Sequence, residues 1–366
     1  MWHRAKSEGT RLGTMMNNRL VDMTSGVSPR RARFQRVGQR VIVYGSGTAA
    51  VLPMLGLIGM IVVLLHEAIP AIRYNGFGFF TSSLWTIGNE YGTPVTSGGA
   101  LHLPGEHYGA WPLIAGTLES SLIAIVVAMP IAIGAAILLV EKLPKAIGAA
   151  VGLCLEILAG IPSAVIGLWG IFSLGPFLAK VVYPALERLP NVPPLSIFHG
   201  GFVSNGQGLL TGGLVLAMMI IPLVASTARD LLRQVPTLTK EAAEALGMTE
   251  TESFMTVQAR WIRSGVIGAA VLGLGRALGE TIAIALVTGS VLKLTPNIYG
   301  SMTTIAAAIV TQLDSAQGDP TGFAVRSLAE AALVLMAITL IVNVLARRLV
   351  RRSARATALP VGRESR

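Results

Sequence analysis

Six stretches of this 366-residue chain are long and apolar enough to cross a bilayer, at about 41–65, 113–139, 146–174, 208–229, 264–288 and 325–346. Hydrocarbon offers backbone amides no partner, so a lipid-spanning segment must close its hydrogen bonds internally, as a helix or within a closed barrel. Continuous apolar runs of this length, without strict alternation, select helices. The expected class is an all-α membrane protein with six transmembrane helices. Composition agrees: 52% of residues are hydrophobic and 13% charged, with a mean hydropathy of +0.64. Water-soluble domains do not combine so much apolar surface with so little charge.

The formal net charge of +10 raises nucleic acid as a partner. The basic residues sit mainly in the two tails and one internal loop, without interleaved aromatics, so membrane lipid is the expected contact and nucleic acid is not. Lys and Arg concentrate in alternate segments: 1–40, the short 140–145 connection, 230–263 and 347–366. The positive-inside rule therefore puts both termini and the 230–263 loop in the cytoplasm. Residues 1–40, with Arg30, Arg31, Arg33, Arg36 and Arg40, read as a disordered basic tail at an anionic lipid surface. Residues 41–112 carry the first span and an external segment, 113–346 a five-span core, and 347–366 a second basic tail. The single Cys154 forbids an intrachain disulfide. The aromatics of Gly76–Trp85 are expected to form an interfacial belt.

The fifth run, Ser264–Gly289, contains Arg276 and Glu280. A charge near the bilayer centre costs at least roughly 2.5–3.5 kcal/mol, which makes an intramembrane ionisable pair a candidate functional site. At 1.5 Å per residue Arg276 lies about 18 Å along the helix from Ser264, and Glu280 follows one turn later on the same face. Gly275 and Gly279 are expected to permit close helix packing around that pair. In the third run, Glu156 lies at a similar expected depth, and Pro162 is expected to kink the helix. Glu119, Arg326 and Glu330 lie nearer the outer ends of their spans, where they are expected to snorkel or meet water.

Between the fourth and fifth runs, Lys240–Leu246 is strong helix-forming sequence, with Thr239 as its expected N-cap. Gly247 stands where a helix C-terminus needs a left-handed residue. Thr249-Glu-Thr-Glu252 reads as a capping box opening a second helix. The expectation is a helix–glycine–helix hairpin.

EAAEALG (241–247) resembles the coupling loop of the permeases of ATP-binding-cassette (ABC) importers, although the closing Leu-Pro pair of that motif is replaced by Ala259-Arg260. GLGRALGET (273–281), AGIPSAVIGLWG (159–170), GTLESSLIAIVVAMPIAIGAAILLVE (116–141) and FFTSSLW (79–85) are similar to permease subunits of phosphate-specific importers of that class. This resemblance runs from about residue 73 to 346. It implies the type I ABC importer permease architecture and the inward movement of inorganic phosphate. It also implies three companions: a second permease, an ATPase dimer that holds the ATP, and a soluble external phosphate-binding protein. Coupling to the ATPase would fall to Glu241, Ala242, Ala243 and Gly247. The substrate pathway would take Arg276, Glu280, Glu156 and Thr281.

The residues also set exclusions. No G-x-x-x-x-G-K-[ST] phosphate loop occurs, so no cofactor is expected on this chain and a separate motor is needed. His3, His66, His102, His107 and His199 are scattered, and no nucleophile elbow is present, so neither a metal site nor an enzyme is expected. Two roles stay open for Arg276: a guanidinium that meets phosphate, or a counter-charge for Glu280 or Glu156 that fixes packing. A proton- or ion-coupled carrier relaying through Glu156 and Glu280 is the competing class, and a permease for molybdate or sulfate the competing cargo.

Overall fold

The computed structural model describes residues 29–357 apart from 90, 194 and 294–296, with side chains over 44–350 apart from those positions and 349. The chain divides into two compact units, Met1–Val63 and Leu64–Arg366. Helix α1, Pro29–Asn75, begins in the first. It starts within the segment expected to be a disordered tail, so residues 29–40 are helical, while 1–28 lie outside the described residues.

Six helices or helical runs have the length and apolarity of membrane spans: Tyr44–Asn75, Trp111–Lys142, Ser163–Leu186, Leu209–Arg233, Glu250–Leu278 and Phe323–Arg348. The second unit is organised around α2 (Trp111–Ile137) and a later helix, Leu209–Arg233. Ala124, Ala128 and Ala132 recur every four residues on α2 and are fully buried against Leu216, Ala217, Ile220, Val224 and Ala225. Between spans there is no hydrophobic drive to associate, so close backbone approach over small residues supplies the packing.

The third run does not cross as one helix. Helix α3 covers Lys145–Ala159 and ends at Gly160; Pro162 stands at the start of α4, Ser163–Trp169, from which the span continues to Leu186. Pro162 therefore separates two helices, because its ring cannot sit inside a continuing ladder. Leu209–Arg233 is α5, Thr237–Ala245 is α6 and Glu250–Ser253 is α7. Helix α8 is Ala259–Leu278, α9 Ile282–Val287, α10 Ile305–Gln317 and α11 Phe323–Thr357. A Cβ on Gly273 of α8 would come within 2.7 Å of Ile220 of α5, so this glycine sets the α5–α8 approach. Gly275 and Gly279 have no such neighbour. The expectation that they bring helices together is corrected accordingly.

The segment after α1 folds into two antiparallel ribbons, Trp85–Thr86 with His107–Tyr108 and Val95–Ser97 with Ala100–His102. Its aromatics are only partly a surface belt. Phe77 is exposed, whereas Phe79 is fully buried and Trp85 packs edge-on to Tyr108 with ring centroids 4.9 Å apart. Buried Glu106 accepts from Leu103 N–H at 2.6 Å and from Tyr108 O–H at 2.7 Å. Glu330 does not reach water: it is 3% exposed and accepts from Asn75 Nδ2 at 2.8 Å.

Candidate functional site: a broken span and a buried arginine

Helix α8 stops at Leu278, within the run expected to be continuous over 264–288. Gly279 and Glu280 close their N–H groups on Arg276 and Ala277, three residues back, at 3.2 and 3.3 Å. Such tightened bonds are how a helix end meets its last carbonyls. Thr281 then opens α9, its carbonyl accepting from Ala285 N–H at 2.9 Å. Glycine, with no side chain to pack and the largest backbone entropy to lose, is the natural place for the interruption. Arg276 is exposed, and Glu280 and Thr281 are partly so. Irregular backbone at membrane depth is tolerated only against protein or a water-lined cavity. The fifth candidate span, Glu250–Leu278, ends where this interruption begins.

No ion pair joins Arg276 to Glu280 or to Glu156 among the described residues. The partner of Glu156 is Arg229, whose Nη2 donates to Glu156 Oε1 at 2.9 Å while its Nε reaches Asp230 Oδ1 at 3.3 Å. Arg229 is the buried member, with a side chain 11% exposed against 56% for Glu156. Gly152, one turn before Glu156 on α3, makes the pocket: an added Cβ there would collide with Arg229 Nη1. Arg229 lies four residues before the end of α5, about 6 Å along the axis. Glu156 therefore belongs to the end of the bundle that carries the α6–α7 hairpin, which corrects its expected depth beside Arg276. Sequence reasoning missed Arg229. Its one signal was a charge at the edge of an apolar run, where charges are ordinary.

The hairpin itself forms as its residues dictate. Helix α6 begins at Thr237 after Pro236, two residues before Thr239, the expected cap. Gly247 has φ +79°, and Met248 N–H reaches Ala243 O at 3.2 Å while Gly247 N–H reaches Glu244 O at 2.9 Å. This double closure is a Schellman motif, which requires the left-handed residue that glycine supplies. Thr249 and Glu252 then form a reciprocal capping box. Ala243 is buried while Glu241, Ala242 and Gly247 are exposed. Leu246, beside the turn, is 78% exposed, and Leu238, at the start of α6, is 76% exposed. Large apolar side chains thus stand out at both ends of α6.

Spans packed over small residues, a span broken beside a fixed cation, and a capped hairpin presented at one end define a multi-pass membrane permease built to work with other chains. Residues 128–355 match the family of binding-protein-dependent transport system inner membrane components. The chain is 53% identical over 319 residues to "Phosphate transport system permease protein PstC 1" of Mycobacterium tuberculosis, covering 87% of this chain and 94% of that protein. It is 35% identical to "Phosphate transport system permease protein PstC" of Mesorhizobium japonicum, covering 83% and 87%. Among solved structures, a bacterial alginate ABC transporter in complex with an alginate-pentasaccharide-bound periplasmic protein superposes with a TM-score of 0.53 at 13% identity, covering 87% of this chain and 97% of that one. The chain belongs to the binding-protein-dependent transport permease family, with PstC-type phosphate permeases among its relatives.

Proposed function

We propose that this chain is the PstC-type permease subunit of an ABC importer that moves inorganic phosphate inward across a bacterial cytoplasmic membrane. The observation that carries phosphate as the cargo is the 53% identity, across 87% of the chain, to a permease named for phosphate transport. The geometry of Arg276 supports it. A guanidinium at a helix break, without a carboxylate partner among the described residues, is planar, always charged and rich in donors, and it can take an oxyanion through paired hydrogen bonds. Glu280 and Thr281 border the same break and limit how firmly the anion is held, since transport requires release. Glu156 leaves this pathway role, because its partner is Arg229 at the hairpin end.

The partners follow from the reading. A PstA-type second permease completes the pathway across the exposed face of Arg276, a PstB-type ATPase dimer receives the hairpin, and a PstS-type binding protein delivers phosphate from outside. Both termini and the hairpin are cytoplasmic. ATP is bound by the ATPase alone, and this chain holds no cofactor of its own and catalyses no reaction.

The test is ³²P-phosphate uptake by the assembled complex in proteoliposomes, with sulfate and molybdate as competitors. Uptake that requires internal ATP and resists both competitors is expected; uptake competed equally by sulfate or molybdate would reassign the cargo. Gly247→Pro should remove the left-handed turn and its N–H, so that ATPase association and substrate-stimulated hydrolysis fall together. Normal stimulation in that variant would rule out hairpin docking.

A further inference from the structure

The end of the second span and the hairpin are tied by two ion pairs that cross. Helix α2 finishes in a π turn, Leu138–Lys142, which places Glu141 and Lys142 side by side in sequence. Lys240 of α6 pairs with Glu141, Nζ to Oε1 at 2.7 Å, and Lys142 pairs with Glu250 of α7. One bond thus goes to each arm of the hairpin, and the charges alternate so that neither arm can exchange partners without meeting its own sign. Lys240 and Glu141 are the sheltered pair, 24% and 27% exposed.

The contact borders a half-open cavity of about 300 Å³, lined by these four residues together with Glu244 and Gln258. On its hairpin side the wall is a second π turn, Phe254–Gln258, which leads directly into α8. A π turn holds one extra residue per turn and recurs at functional sites as a short interruption of regular helix. Two such turns therefore flank the cavity where the hairpin meets the end of the second span. On the far side, α2 is locked to α5 by its alanine stripe, so displacement of its end is carried into the α2–α5 pair as a unit.

We propose that Glu141 and Lys142 transmit hairpin movement to the second span, making α2 a second output of the coupling hairpin beside the covalent continuation into α8. The proposal rests on the reading that the hairpin docks the ATPase. Exposed ion pairs contribute little to stability, so these residues act as positioning residues and their effect should appear in coupling, not in folding.

The experiment uses the assembled complex in proteoliposomes and compares Glu141→Lys, Lys240→Glu, their double exchange and the milder Glu141→Gln. Three quantities are read: ATPase retained on purification, hydrolysis with and without phosphate-loaded binding protein, and ³²P uptake. Each charge reversal should keep the ATPase bound and lower stimulated hydrolysis and uptake about fivefold or more, and the exchange should restore both to within about twofold, as coupled neighbours do. Glu141→Gln should fall between. Normal stimulation in the charge reversals, or loss not rescued by the exchange, would overturn transmission. Loss of the ATPase from the reversed variants would assign the pairs to scaffolding and overturn it equally. The docking reading fails by a different sign: an ATPase that stays bound and stimulated in Gly247→Pro.

Discussion

Arg229 and Glu156 stand 73 residues apart in the chain and meet at 2.9 Å, joining α5 to the short helix before the third span. The pair is unequal, since the arginine is sheltered and the carboxylate half in water. Removing one partner therefore does not cost the same as removing the other. Glu156→Gln leaves a sheltered guanidinium with only Asp230, whereas Arg229→Gln leaves a carboxylate that water can serve. Glu156→Gln should lower stability by about 1–3 kcal/mol, Arg229→Gln by less, and the double variant should recover most of the loss. Thermal midpoints in detergent read this directly, and equal losses in the two single variants would contradict the asymmetry. Gly152→Leu should match or exceed Glu156→Gln, because its side chain takes the space of the guanidinium.

Among the described residues Arg276 has no carboxylate partner, and uptake measurements distinguish the two roles left open by the sequence. Arg276→Gln should abolish ³²P uptake while the complex still assembles. Arg276→Lys should also be impaired, since an ammonium keeps the charge but loses the planar fork of donors. Pairing Arg276→Gln with Glu280→Gln or with Glu156→Gln should restore nothing. Near-normal uptake in either double variant would return Arg276 to the role of counter-charge.

Orientation is testable at exposed positions. Exposed Cys154 must first be replaced by serine. Cysteines at Ser97 and Asn205, both exposed, should then react with an impermeant thiol reagent from outside the cell, and one at Thr251 should not. Thr251 is preferable to Thr249, whose hydroxyl accepts in the capping box. Labelling at Thr251 with protection at Ser97 would invert the orientation.

The ribbons between the first two spans should respond to pH through Glu106. Burial raises its carboxyl above the usual range and Asp319 adds to this, while the bonds from Tyr108 and Leu103 oppose the shift. A folded-state value above the unfolded one, about 4.3, means the native state holds the proton more tightly. Stability is then greatest below the unfolded value and declines as pH rises through the raised one. Hydrogen exchange over residues 100–108 should therefore slow, beyond the intrinsic chemistry, as pH falls from neutral toward the unfolded value of about 4.3, and Glu106→Gln should flatten that dependence. Protection that grows with pH would refute the assignment.

What the sequence determined here is what depends on near neighbours. Six spans follow from apolar runs that must satisfy their own backbone, and the hairpin follows from a left-handed glycine and a Thr–Glu box that act within five residues. The left-handed Gly247 and the capping box at Thr249 stand where local chemistry puts them. Tertiary structure decided what depends on the element across the gap. Glu156 pairs with Arg229 because α3, which ends before Pro162, packs against α5 near its end, and no spacing along the chain encodes that contact. Gly273 proved to be the close-packing glycine, and Gly275 did not, because Ile220 faces one and nothing crowds the other. The fifth span breaks at Gly279 for the same kind of reason. Apolarity alone permits a helix to continue, and only its surroundings reveal whether protein or water is there to receive the backbone groups that a break releases.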